Sequence, residues 1–143
     1  MKKFFIINGP NLNLLGQREP GLYGQKSLLQ INHSLSQLAQ ELKVEVDFFQ
    51  SNHEGELVEA IQKVDLSFNG AVLNAAAYTH TSVALRDAIL AIDKPVIEVH
   101  LTNPKAREDF RHISFISGSV KGVISGFGEH SYRLALRYLA EQA

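Results

Sequence analysis

Residues 4–10 read Phe-Phe-Ile-Ile-Asn-Gly-Pro, a short continuous apolar run that stops at a glycine and a proline. A strand with one wet face alternates apolar and polar side chains. This run does not alternate, which is the pattern of a strand buried in a parallel sheet. Working outward, the period changes to helical from Ser27, with Leu28, Ile31, Leu35, Leu38 and Leu42 on one face and Ser27 as N-cap. Residues 44–49 alternate as a second strand. Ser51 or Asn52 then caps a helix whose apolar positions are Leu57, Val58, Ile61 and Val64. Residues 70–73 form a third strand ending at Asn74, followed by a helix over about 81–92. A fourth strand over 95–99 ends at His100, and a polar connection runs over 101–114. A fifth strand over 120–124 and a helix over about 129–139 complete the chain.

Strands alternating with helices of this length imply right-handed crossovers and a parallel sheet covered on both faces. Five such strands predict an α/β chain with a flavodoxin-like, doubly wound, five-stranded parallel sheet of order 2-1-3-4-5 and helices on both faces. No internal repeat, low-complexity tract or linker divides the chain, so residues 1–143 read as a single domain.

Composition narrows the function. Of 143 residues, 45% are apolar and 20% charged, with 14 Lys and Arg against 15 Asp and Glu. That balance lacks the basic excess of a nucleic-acid footprint, so any bound anion must be held by a few placed residues. Cysteine is absent, which excludes disulfides, thiolate metal sites and a thiol nucleophile, and suits a reducing cytoplasm. The apolar run after Met1-Lys2-Lys3 is too short for a signal peptide, and no stretch is long enough for a membrane span. No Walker, dinucleotide or Gly-x-Ser-x-Gly fingerprint appears. His80 and His100 lie on different elements with no carboxylate motif completing a metal site, so no metal is expected.

In doubly wound sheets, ligands bind beyond the carboxyl ends of the strands. Here those ends carry Asn8 and Asn11, Asn74, and His100, and the segment after Asn74 continues through Tyr78-Thr79-His80-Thr81-Ser82. Each alone reads as a cap or turn residue. Together at one sheet edge they read as a polar small-molecule site. Residues 17–24, Gln-Arg-Glu-Pro-Gly-Leu-Tyr-Gly, have the composition of a mobile lid carrying Arg18 and Tyr23. Arg107 and Arg111 lie four apart, are able to share a helical face, and offer at least one carboxylate clamp; whether Arg107 joins the site stays open. His33, His53, His112 and His130 have no comparable setting and read as surface or capping residues.

These segments resemble the type II 3-dehydroquinate dehydratase family. The likeness is carried by Asn8-Gly9-Pro10-Asn11-Leu12-Asn13-Leu14-Leu15-Gly16, Arg18-Glu19-Pro20 and Tyr23-Gly24. It continues in Gln50-Ser51-Asn52 with Glu54-Gly55-Glu56, in residues 74–82, and in Glu98-Val99-His100-Leu101-Thr102-Asn103. It spans about residues 4–140, departing at Thr102, where many members carry Ser. The resemblance implies a hydro-lyase that converts 3-dehydroquinate to 3-dehydroshikimate by anti elimination through an enolate, with no metal, organic cofactor or Schiff-base lysine. It implies that Tyr23 is the base, that Arg18 keeps it ionised, that His100 protonates the departing hydroxyl, and that Asn11 positions a water on the enolate oxygen. It implies that Asn74, His80, Leu101, Thr102 and Arg111 bind substrate. Asp87 is expected to reach a neighbouring subunit's site in a dodecamer built as a tetramer of trimers.

Physical chemistry agrees with those roles. A free tyrosine, with a pKa of about 10, is only about 0.1% ionised at neutral pH. A guanidinium within about 4–6 Å lowers an acid's pKa by roughly one to three units. Glu98 lies two residues before His100, hence on the same strand face, where it holds the imidazole tautomer and favours its charged form. The alternative is a non-catalytic flavodoxin-like module that binds a small molecule or flavin. A receiver domain needs acids where this chain has Asn8, Asn11 and Asn74. A flavin carrier needs hydroxyls, and residues 9–16 contain none.

Overall fold

The opening apolar run is an interior strand of the sheet, and its two faces feed two different cores. The computed structural model describes residues 1–17, 21 and 26–142. Strands β1 (Lys3–Asn8), β2 (Glu45–Gln50), β3 (Gly70–Asn74), β4 (Val96–His100) and β5 (Gly122–Ser125) form one sheet of order β2-β1-β3-β4-β5, every neighbouring pair parallel. The flavodoxin-like order expected from the element pattern is thus the order observed.

Among the described residues, four helices cover the sheet: α1 (Leu28–Leu42), α2 (Glu54–Ser67), α3 (Val83–Leu90) and α4 (His130–Gln142). Successive strand side chains point to opposite faces. Phe4 and Ile6 of β1 therefore join Ile31, Leu35 and Leu38 of α1 and Leu136 and Leu139 of α4. Phe5 and Ile7 join Leu57, Ile61 and Val64 of α2 and Leu85 and Ile89 of α3 on the other side. The helix starts follow local chemistry. Ser27 caps α1 in a full capping box with Gln30, and Ser82 caps α3 by accepting from the Leu85 amide.

Three local expectations are corrected. The third helix begins later than residue 81, because residues 76–80 form a separate 3₁₀ segment before Ser82. Neither Ser51 nor Asn52 is the N-cap of α2; His53 holds that position without a side-chain cap bond. The Ser51 hydroxyl instead accepts from the His53 amide and donates to Glu56, while Asn52 Oδ1 accepts from the Asn11 amide in the loop after β1 and the Asn52 backbone carbonyl accepts from the Tyr78 hydroxyl. Arg107 and Arg111 share no helical face, since residues 104–106 and 109–111 form two separate 3₁₀ turns, the first with Pro104 at its start. The expected lid falls largely outside the described residues, and Arg18 and Tyr23 with it.

No helix among the described residues is long and apolar enough to cross a membrane.

Candidate active site

Parallel register brings the strand ends level. Asn8 pairs with Gln50 on one side and with Asn74 on the other. Gly9 closes the gap between β1 and β3: its amide donates to the Asn74 carbonyl at 2.8 Å, and a Cβ there would lie 2.6 Å from the Ala75 carbonyl oxygen. Only glycine permits that approach. Gln50 Nε2 donates to the Gly9 carbonyl, and the Asn11 amide donates to Asn52 Oδ1 at 3.0 Å. The end of β2 thus holds the loop that carries Asn11. Asn11 and Ala76 both adopt left-handed backbone (φ 68° and 52°), and both line the cavity beyond the strand ends. Non-glycine residues persist in that conformation where surrounding contacts over-determine it, commonly at functional sites.

The cavity, of about 140 Å³, is lined by Asn11, Asn74, His80, His100, Leu101 and Thr102, and closed by Arg107 and Arg111. Arg107, left open by the sequence, therefore belongs to the lining, with its Nη1 donating to Thr102 Oγ1 at 3.5 Å. Arg111 sets its Nε on Glu108 at 2.9 Å and its guanidinium over the Phe110 ring. Two arginines at one rim make the cavity suited to a carboxylate or another anion.

His100 is buried beside Glu98, which is 1% exposed. Its Nε2 lies 2.5 Å from Glu98 Oε2, as the period-two spacing on β4 led one to expect. Since Nε2 is committed to the carboxylate, Nδ1 is the nitrogen left for chemistry. The carboxylate contact fixes the orientation of the imidazole ring. His80 is built the other way. Its Nδ1 donates to the Ile113 carbonyl at 2.8 Å, and its pKa is lowered from the ordinary 6.5, mainly by burial, with nearby His100 and Arg111 acting in the same direction. His80 is therefore neutral at pH 7 and offers Nε2 as an acceptor, a binding rather than a donating role.

The sequence reading missed Tyr132. It occupies an apolar position of α4, in step with Ala135, Leu136 and Leu139, and is fully buried. Its hydroxyl donates to Asn8 Oδ1 at 2.5 Å and accepts from Asn74 Nδ2 at 2.9 Å. Burial holds its pKa far above the usual tyrosine range, so it stays a neutral hydrogen-bonding group. Asn74 Oδ1 accepts from the Ala76 amide, so both ends of that side chain are oriented before any ligand arrives. The available signal was a phenol within an apolar helix stripe, since a buried Tyr hydroxyl needs a partner. Tyr132→Phe should strand one donor and one acceptor and lower stability by roughly 1–3 kcal/mol. Thermal unfolding at fixed protein concentration checks this; an unchanged midpoint would show that the chain of bonds contributes nothing.

Of the expected site residues, Asn11, Asn74, His80, His100, Leu101, Thr102 and Arg111 line this cavity, and Glu98 stands directly behind His100. Asp87 is exposed on α3 and does not line it. Among the described residues, no group of three or more His, Asp or Glu side chains is gathered to hold a metal ion.

Comparison with known proteins bears on this arrangement. The family model described as Dehydroquinase class II matches residues 2–140. The chain is 58% identical over 134 residues to a 3-dehydroquinate dehydratase of Acaryochloris marina, covering 94% of this chain and 90% of the relative. It is 49% identical over 142 residues to the protein of that name from Bacillus subtilis, covering 99% and 96%. The solved type II dehydroquinase from Butyrivibrio crossotus matches with a TM-score of 0.95 at 39% identity, covering 96% of this chain and 97% of that one.

Proposed function

The chain belongs to the class II dehydroquinase family, and from that membership we infer that it removes water from 3-dehydroquinate to give 3-dehydroshikimate. It is a carbon–oxygen lyase (EC 4.2.1.10), catalysing a step shared by the shikimate pathway and quinate catabolism. A flavodoxin-like module without catalysis is not favoured. The observation that carries the catalytic reading is the His100–Glu98 pair set against a cavity that also holds Asn74, His80 and Arg111.

In the proposed mechanism, Tyr23 takes the proton beside the ketone, and Arg18 keeps that phenol partly ionised. The segment over residues 17–24, which carries both, acts as the lid. A water positioned by Asn11 stabilises the enolate oxygen. His100 then gives the Nδ1 proton to the departing hydroxyl, opposite in face to the proton removed, which makes the elimination anti. Asn74, the neutral His80, Leu101 and Thr102 hold the ring hydroxyls and carboxylate together with Arg111. Incubation with 3-dehydroquinate should produce the ultraviolet absorbance of a conjugated enone. A chain that folds but yields no enone would overturn the reading.

Arg111 holds charge in ground and transition states alike, so its loss should act on binding. Arg111→Ala is expected to raise KM by roughly ten- to a hundredfold, the value of a hydrogen bond to a charged group, and to leave kcat nearly unchanged. Steady-state kinetics would contradict this if kcat carried the loss instead.

Asp87 fits a role in trans, because it is exposed and lies away from its own chain's cavity. We place it at a neighbouring subunit's site, in a dodecamer assembled as a tetramer of trimers, within the cytoplasm. Light scattering at micromolar concentration should then find an assembly much larger than one chain. A fully active monomer would rule it out.

A further inference from the structure

Glu98 poses a physical problem that the mechanism so far leaves unsolved. It lies on the face of β4 that Val96 shares with a hydrophobic core, and a carboxylate there is costly unless its oxygens are paired and hydrogen-bonded. His100 satisfies Oε2. The other oxygen is served by the loop after the second 3₁₀ turn: Ser117 Oγ donates to Oε1 at 2.7 Å, and Ser114 Oγ lies 3.4 Å from both oxygens. Ile116, fully buried between the two serines, anchors that loop in the same core.

Ser114 is committed in a telling way. Its oxygen accepts from the amides of Ile116 and Ser117 at 3.2 and 3.0 Å. Both lone pairs are used, and its proton faces the carboxylate. The turn that fixes Ser117 is thus tied to the same group that Ser117 serves. Ser119, nearby, shows the ordinary alternative, since its hydroxyl merely donates to the Ile116 carbonyl.

We propose that Ser117, supported by Ser114, is a positioning residue for proton donation: it clamps the Glu98 carboxylate in one orientation and through it fixes the His100 ring, with Nδ1 toward the cavity. A carboxylate with both oxygens occupied does not rotate. In the step served, the enolate electrons form the new C=C bond and the C–O bond breaks with its electrons on oxygen. That oxygen takes the Nδ1 proton and leaves as water. The proposal rests on the reading of His100 as proton donor.

The test separates the two half-reactions in one sample. In D₂O, exchange of the α proton of 3-dehydroquinate reports enolate formation, and enone absorbance reports elimination. Ser117→Ala should slow elimination by roughly ten- to a hundredfold, the range for a lost hydrogen bond to a charged group, while exchange continues near the wild-type rate and KM stays close to it. Continued exchange also shows that the variant is folded. Elimination within about threefold of wild type, against the expected range for such a bond, would overturn the proposal, as would exchange falling in step with elimination. His100→Ala is the reference. If it loses exchange and elimination together, the donor assignment itself fails. If it loses elimination alone while Ser117→Ala behaves as wild type, only the positioning role falls.

Discussion

Tyr23→Phe should lower kcat by at least about 10²–10⁴-fold, the usual contribution of a general base, while substrate affinity changes little. The substitution removes one oxygen and keeps the ring, so packing and binding are preserved and only proton abstraction is lost. Arg18→Ala should also depress kcat heavily. Without a neighbouring guanidinium, Tyr23 returns toward its reference pKa of about 10 and is almost wholly protonated at neutral pH. The sign of the pH effect distinguishes the two. Raising pH ionises the phenol and should partly rescue the Arg18 variant, but it has nothing to ionise in Tyr23→Phe. Initial rates by enone absorbance across neutral to alkaline pH make the comparison. A Tyr23→Phe enzyme within about tenfold of wild type, well short of a general base's contribution, would mean that another group is the base.

His100→Ala should produce a loss of similar size, about 10²–10⁴-fold in dehydration, with a different signature. The donor acts only after the enolate exists, so exchange of the α proton with solvent should outlast elimination. Glu98→Gln should fall in the same class, because a neutral amide beside Nε2 replaces the carboxylate that fixes the ring. The Gln variant keeps nearly the same shape, which separates charge from packing. If Glu98→Gln eliminates water at the wild-type rate, the buried carboxylate is structural and the pair plays no part in proton donation.

What repeats along the chain is legible before folding. Apolar runs at strand length, alternating with helical stripes such as Ile31, Leu35 and Leu38, imply the doubly wound sheet, and the observed strand order agrees. Period-two alternation put Glu98 and His100 on one face, and their ring-to-carboxylate contact follows from that local geometry. Polar residues where apolar runs stop marked Asn11, Asn74, His80 and His100 as neighbours, because parallel strands align their carboxyl ends. These inferences work because they need only the covalent geometry of the chain and the cost of wetting an apolar face.

Tertiary structure alone decided the rest, since those facts depend on groups far apart in the chain. The Tyr132 hydroxyl meets Asn8 across 124 positions, and no local pattern separates it from a packing aromatic in an apolar stripe. Proline and turn geometry at residues 104–111 replaced an expected helical face, yet the folded connection still brought both Arg107 and Arg111 to the cavity. Serines 114 and 117 carry no motif; their meaning appears only when Ile116, buried in the core, sets their hydroxyls on Glu98. The physical reason is the same in each case. Backbone periodicity is a property of neighbours in sequence, whereas satisfying a buried hydroxyl or carboxylate depends on whichever donor the packed core brings within about 3 Å.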